Sequence, residues 1–154
     1  MYLTYKNIGE TPLECLERIR LEYGKPKDIP MTYAGRLDPM AEGLLIILVG
    51  DDCKDKEKYL RMDKQYEVEI LFGVSTDSFD SLGLITDIEK KSFDSIDFNK
   101  YKGKFIQQYP RYSSKIISMM EKGGEMPEEM PTKEVEIYSI DQVGSKAMSG
   151  SKIY

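Results

Sequence analysis

A chain of 154 residues with 27 acidic and 22 basic side chains and a net charge of −5 has the size of one domain with a working core, and its charge repels phosphate at long range. Histidine is absent, which excludes Ser-His and Cys-His nucleophiles and most metal-hydrolase sites and leaves carboxylate, tyrosine and lysine chemistry. Cys15 and Cys53 stand far apart without metal-site spacing, so no zinc site, other metal or disulfide framework is expected.

Met1 to Lys6 alternates like a short strand and lacks the apolar core of a signal peptide. No run elsewhere is long enough to cross a bilayer, so a cytoplasmic protein without membrane contact is expected. Thr11-Pro12 is a strong helix start, with proline at the first helical position. That helix should run to about Tyr23, with Leu13, Leu16, Ile19 and Leu21 giving it a buried side and Gly24-Lys25-Pro26 stopping it. Residues 25–42 read as one long loop. Leu44 to Val49 is nearly all apolar and β-rich, which predicts a central strand covered on both faces.

Lys54 to Met62 reads as a short charged helix. Tyr66 to Phe72 alternates and predicts a strand beginning at Tyr66, whereas Ser75 to Gly83 predicts a tight loop before a short strand, Leu84 to Ile88. The acids of that loop miss the spacing of a calcium-binding loop. Phe93 to Tyr101 predicts a helix and Gly103 to Gln108 an extended segment. Met119 to Met130 holds Gly123-Gly124 and reads as a flexible loop, and Lys133 to Ile140 alternates as a final strand. Positive charge concentrates in two stretches, Lys54 to Lys64 and Lys100 to Lys115. No internal repeat or second domain is visible.

The segment Gly35-Arg36-Leu37-Asp38-Pro39-Met40-Ala41-Glu42-Gly43-Leu44 sets one carboxylate among turn-forming residues and runs into the apolar strand. Pro39 restrains Asp38 to extended geometry and removes a backbone donor beside it. In an extended Arg36-Leu37-Asp38 the arginine and aspartate share a side and Leu37 points to the core. Asp38 is thus either a turn cap or a nucleophile on a stiff mount.

Taken whole, this stretch resembles the catalytic motif Gly-x-Leu-Asp-Pro-x-Ala-x-Gly-x-Leu of the TruB-type tRNA pseudouridine synthases. Other motifs of that family follow in the same order. Lys6 to Thr11 is similar to its opening Lys-Pro-x-Gly-x-Thr, with Asn7 in place of proline. Asp63-Lys64-Gln65-Tyr66 resembles its Asp-Lys-x-Tyr, and Gly73 to Gly83 resembles its Gly-x-x-Thr-Asp-Thr-x-Asp-x-x-Gly. Gln108 to Lys115 is similar to Gln-x-Pro-Pro-x-Tyr-Ser-Ala-x-Lys, one residue shorter.

The resemblance implies an α+β domain with the pseudouridine synthase fold, a mixed and largely antiparallel sheet carrying packed helices, spanning residues 1–154. It implies isomerisation of uridine to pseudouridine in the T-loop of tRNA or another structured RNA, with no cofactor. Asp38 is then the nucleophile and Tyr66 the ring on which the flipped base stacks; the site also needs an arginine to keep Asp38 ionised, since burial alone would raise its pKa, and either Arg36 supplies it locally, or the sequence is a fragment, or catalysis is lost. Lys6, Gly9, Thr11, Tyr33, Lys64, Tyr112 and Lys115 become RNA-binding candidates. Tyr33 falls where bacterial relatives usually carry a histidine that contacts the T-loop. The chain stops at Tyr154, ahead of the family's later Gly-Thr-Tyr-Ile-Arg arginine. The resemblance therefore also implies a domain incomplete at the C-terminus, without the small C-terminal PUA-type RNA-binding domain. An exposed sheet edge open to a homodimer is expected to follow. The alternatives are a non-catalytic RNA-binding or RNA-chaperone module of the same fold, or a fold-only relative whose acidic surface binds protein.

Overall fold

The computed structural model describes residues 1–89 and 96–144, apart from the side chains of Ser114, Lys115 and Ser118. The chain divides into two compact units, residues 1–68 and 69–154.

In the first unit, β1 (Tyr2–Lys6), β2 (Met31–Ala34) and β3 (Gly43–Val49) form an antiparallel sheet in the order β1-β3-β2. The apolar β3 takes the centre, because only a central strand has both edges satisfied and can be apolar along its length. Its register pairs Lys6 with Gly43 on one side and Tyr33 with Ile47 on the other. Helix α1 (Pro12–Glu22) packs Cys15, Leu16 and Ile19 onto Leu45 and Ile47, and Tyr2, Met31, Tyr33 and Val49 border that core. Thr11 caps α1 with a full capping box: its hydroxyl accepts from the Glu14 amide at 3.2 Å, and the Glu14 carboxylate accepts from the Thr11 amide at 2.7 Å. A 3₁₀ turn (Gly50–Asp55) and α2 (Lys56–Leu60) follow β3.

Four expectations over residues 1–72 need correction. Leu13 and Leu21, expected on the buried side of α1, are exposed, and Cys15 and Arg20 are buried with Leu16 and Ile19 instead. Residues 25–42 are not one loop, because β2 lies inside them and pairs with the free side of β3. The buried Arg20 holds the stretch before β2, donating to the Pro26 and Ile29 carbonyls at 2.8 and 3.0 Å. The central strand is covered over most of its length, with Leu45, Ile47 and Leu48 buried, but at its start Leu44 is exposed. The alternating stretch 66–72 forms no strand: alternation marks two faces, but a strand also needs a neighbour to pair with.

The second unit holds two antiparallel hairpins, β4 (Val74–Thr76) with β5 (Ile85–Ile88), and β6 (Gly103–Gln108) with β7 (Thr132–Ile137). Between β4 and β5 the Asp80 and Asp77 carboxylates accept from the Leu82 and Leu84 amides, each at 2.9 Å, closing the tight loop expected there. Of the helix expected over 93–101, residues 93–95 lie outside the described residues and Phe98–Tyr101 form a 3₁₀ turn. Helix α3 (Ser114–Glu121) reaches into the stretch read as a loop. Ser113 caps it by accepting from the Ile116 amide at 3.4 Å, and Gly123 at φ +85° ends it. Every strand pairing described is antiparallel, and the fold is of the α+β class expected. Among the described residues no helix is long and apolar enough to cross a membrane.

Candidate active site

Asp38 sits between β2 and β3, where Gly35 at φ +112° turns the chain out of the sheet and Gly43 at φ +143° returns it. Residues 36–38 alternate in exposure: Arg36 and Asp38 are exposed and Leu37 is half-buried. A Cβ on Gly43 would lie 3.9 Å from the Leu37 side chain. Space is therefore available at position 43, and its backbone angle is what requires glycine.

A turn closes directly after the carboxylate, the Ala41 amide donating to the Asp38 carbonyl at 2.9 Å. Lys6 and Gly9 hold that turn from the other side. The Lys6 ammonium, with 0% of the residue exposed, donates to the Ala41 carbonyl at 2.6 Å, the Asn7 carbonyl at 3.0 Å and the Pro39 carbonyl at 3.5 Å. The Gly9 amide donates to the Pro39 carbonyl at 2.7 Å. Three ammonium protons matched to three carbonyls make burial of this charge tolerable, and they fix the turn that carries Asp38.

The segment bearing Lys6 and Gly9 is itself tied to α1. Arg18 forks onto Glu10, Nε to Oε1 at 2.8 Å and Nη2 to Oε2 at 3.1 Å, and Nη2 also donates to the Tyr5 carbonyl at 2.8 Å. The guanidinium holds the Glu10 carboxyl below its usual pKa, aided by the Asn7 amide. Across the ladder the Tyr5 phenol is pushed above its ordinary value, by desolvation first and then by the Glu42 carboxylate.

The structure thus brings together Lys6, Gly9 and the Asp38 turn, with Thr11 starting the helix behind them. Tyr33 lies on β2, half-buried. Tyr66 is exposed on the irregular stretch after α2. Lys64 closes that helix, its ammonium donating to the Leu60 and Met62 carbonyls at 2.9 and 2.7 Å. Tyr112, exposed, and Lys115 belong to the second unit, and the Lys115 side chain lies outside the described residues. Sequence reasoning missed the Glu10–Arg18 fork, because eight positions across a turn follow no helical or strand period. Among the described residues no cluster of acidic or sulfur ligands could hold a metal ion.

The sequence that builds this arrangement matches a known family over most of its length. The model of the TruB family pseudouridylate synthases (N terminal domain) covers residues 27–151, and the chain belongs to that family. It is 31% identical to a tRNA pseudouridine synthase B of Acholeplasma laidlawii, over 91% of this chain and 52% of that protein. It is 32% identical to one of Thermosipho melanesiensis, over 90% and 47%, and 28% identical to one of Aquifex aeolicus, over 86% and 48%. The chain spans about half the length of the curated relatives it matches.

Proposed function

We propose that this chain acts as the nucleophile-bearing part of a pseudouridine synthase, isomerising a uridine in the T-loop of tRNA or a similar folded RNA. The observation that carries the reading is the Asp38 turn, gripped by the Lys6 ammonium at 2.6 Å and the Gly9 amide at 2.7 Å. Such a mount spends no energy on ordering the nucleophile when substrate arrives. The uridine is flipped from its stack, and Asp38 bonds covalently to it at the sugar or the ring. The base detaches, turns and rejoins the ribose through C5 as the bond to Asp38 breaks, the C5 proton leaves, and N1 takes up a proton. The product is an isomer of the substrate, so the step needs neither oxidant nor phosphate donor. Tyr66 supports the flipped base, and Arg36 is the cation two residues from the nucleophile. Lys64, Tyr112 and Lys115 add contacts to the RNA. The reading puts the protein with its tRNA substrate in the cytoplasm. The strands β1 and β2 at the sheet edges offer a route to pairing with a second copy.

The test is single-turnover tritium release from T-arm RNA labelled at uridine C5, with Asp38→Ala as control. Release that requires Asp38 supports the reading. No release, with salt-sensitive RNA binding retained, replaces it with a non-catalytic RNA-binding module.

A further inference from the structure

We propose that the Glu10–Arg18 pair is a positioning clasp for Asp38, holding by hydrogen bonds the turn that a proline at position 7 would hold by its ring. The inference rests on the uridine-isomerase reading and adds two positioning residues to it. Asn7 stands where the motif Lys-Pro-x-Gly-x-Thr has proline. Proline fixes φ and carries no N–H, so at the end of a strand it stiffens the exit and leaves no donor to satisfy. Asn7 has neither property. Its φ is not locked by a ring, and its amide lies beyond the ladder, which ends with Lys6 opposite Gly43.

Glu10 answers both needs. Its Oε2 accepts from the Asn7 amide at 3.1 Å while its own amide donates to the Asn7 carbonyl at 3.2 Å, so the turn over residues 7–10 is closed from both sides, with Gly9 at φ +82° inside it. A carboxylate on a free stem would hold that amide loosely. Arg18 removes the freedom, forking onto both Glu10 oxygens at 2.8 and 3.1 Å, and the Glu10 side chain is only 14% exposed. The same guanidinium donates to the Tyr5 carbonyl, so one group of α1 ties the strand before the turn to the carboxylate that closes it. The clasped turn then reaches the nucleophile by two routes. Its Gly9 amide donates to the carbonyl of Pro39, the residue after Asp38, and its Asn7 carbonyl accepts from the Lys6 ammonium that also holds Ala41. Loosening the clasp therefore moves both supports of the Asp38 turn together, and a displaced nucleophile slows the chemical step without weakening RNA contacts.

The experiment measures single-turnover tritium release from T-arm RNA labelled at uridine C5 over a range of protein concentrations. Glu10→Met and Arg18→Met should each lower the saturating rate about three- to tenfold, with the half-saturating concentration changed by less than about twofold. Adding Asn7→Pro to Glu10→Met should restore the rate to within about twofold of the parent, because the ring then does the work of the clasp. Amide exchange followed by NMR makes the comparison without turnover: the Gly9 and Ala41 amides should exchange about tenfold faster in both single variants while β3 keeps its rates, and Asn7→Pro should slow them again. Should Glu10→Met fail to melt as a folded protein, Glu10→Gln, of the same shape without the charge, takes its place. An unchanged saturating rate in both folded single variants, or a rate that Asn7→Pro fails to restore, overturns the proposal. If the parent releases no tritium that requires Asp38, the uridine-isomerase reading falls and takes this proposal with it. Asp38-dependent release by the parent, together with unaltered Gly9 and Ala41 exchange in the variants, overturns this proposal alone.

Discussion

An ammonium group with no exposed surface is stable only where its protons are matched, and Lys6 meets that condition with main-chain carbonyls alone. Lys6→Met should leave acceptors of the Asp38 turn without a donor and lower stability by about 1–3 kcal/mol, read by urea denaturation. On the proposed function, the same change should reduce kcat severalfold with KM little altered, because the Asp38 turn is mispositioned while other RNA contacts remain. Glu10 gives a pH signature. Its pKa is lowered in the folded state by the Arg18 fork, so its contribution is fully present above the ordinary carboxylate value and is lost as pH falls through the lowered one. Acid denaturation followed by circular dichroism should show a shallower decline below about pH 4.3 for Glu10→Gln than for the parent. The turn at Asp38 was legible because glycine and proline announce a constrained backbone. The burial of Lys6 was not, since nothing in a strand's alternation distinguishes a lysine bound to carbonyls from one in water.

At the level of elements, the extents of helix α1 and strand β3 could be read directly, although the buried side of α1 could not, since Leu13 and Leu21 are exposed. Thr11-Pro12 with Glu14 is a local start signal that needs no tertiary context, and the structure closes it as a capping box. Thr11→Ala should cost about 1 kcal/mol, measured by thermal or urea unfolding. Gly43 joins the turn to β3 at φ +143°, an angle that strains any residue with a Cβ. Gly43→Ala should therefore destabilise by about 1–3 kcal/mol although Leu37 leaves it room, and a smaller loss would mean that the turn relaxes. The short strand β2 escaped sequence reading because four residues are too few to show a period, and its reason for being extended lies on β3. The stretch 66–72 misled in the opposite direction, since its pattern specifies faces while pairing depends on chain elsewhere.

Across the whole molecule, burial is uneven. Among the described residues the buried apolar side chains are Cys15, Leu16, Ile19, Ala34, Leu45, Ile47 and Leu48 in the first unit, and Ile116 in the second. All four residues of β5 are exposed. Amide hydrogen exchange should accordingly find the slowest protons on β3 and α1 and fast exchange on the β4–β5 hairpin; equal protection would contradict this distribution. Charge acts at the same scale. With a net charge of −5, any RNA affinity must come from local cations and should fall steeply as salt rises. Composition does not show where cations are placed: the approach of Lys56 to Tyr33 depends on α2 packing against β2. The sealed position of Lys6 has one more consequence. Its amine is closed to acylating reagents while the first unit is intact, so the rate at which Lys6 becomes labelled, followed by peptide mass spectrometry, is a clock for the opening of the Asp38 turn.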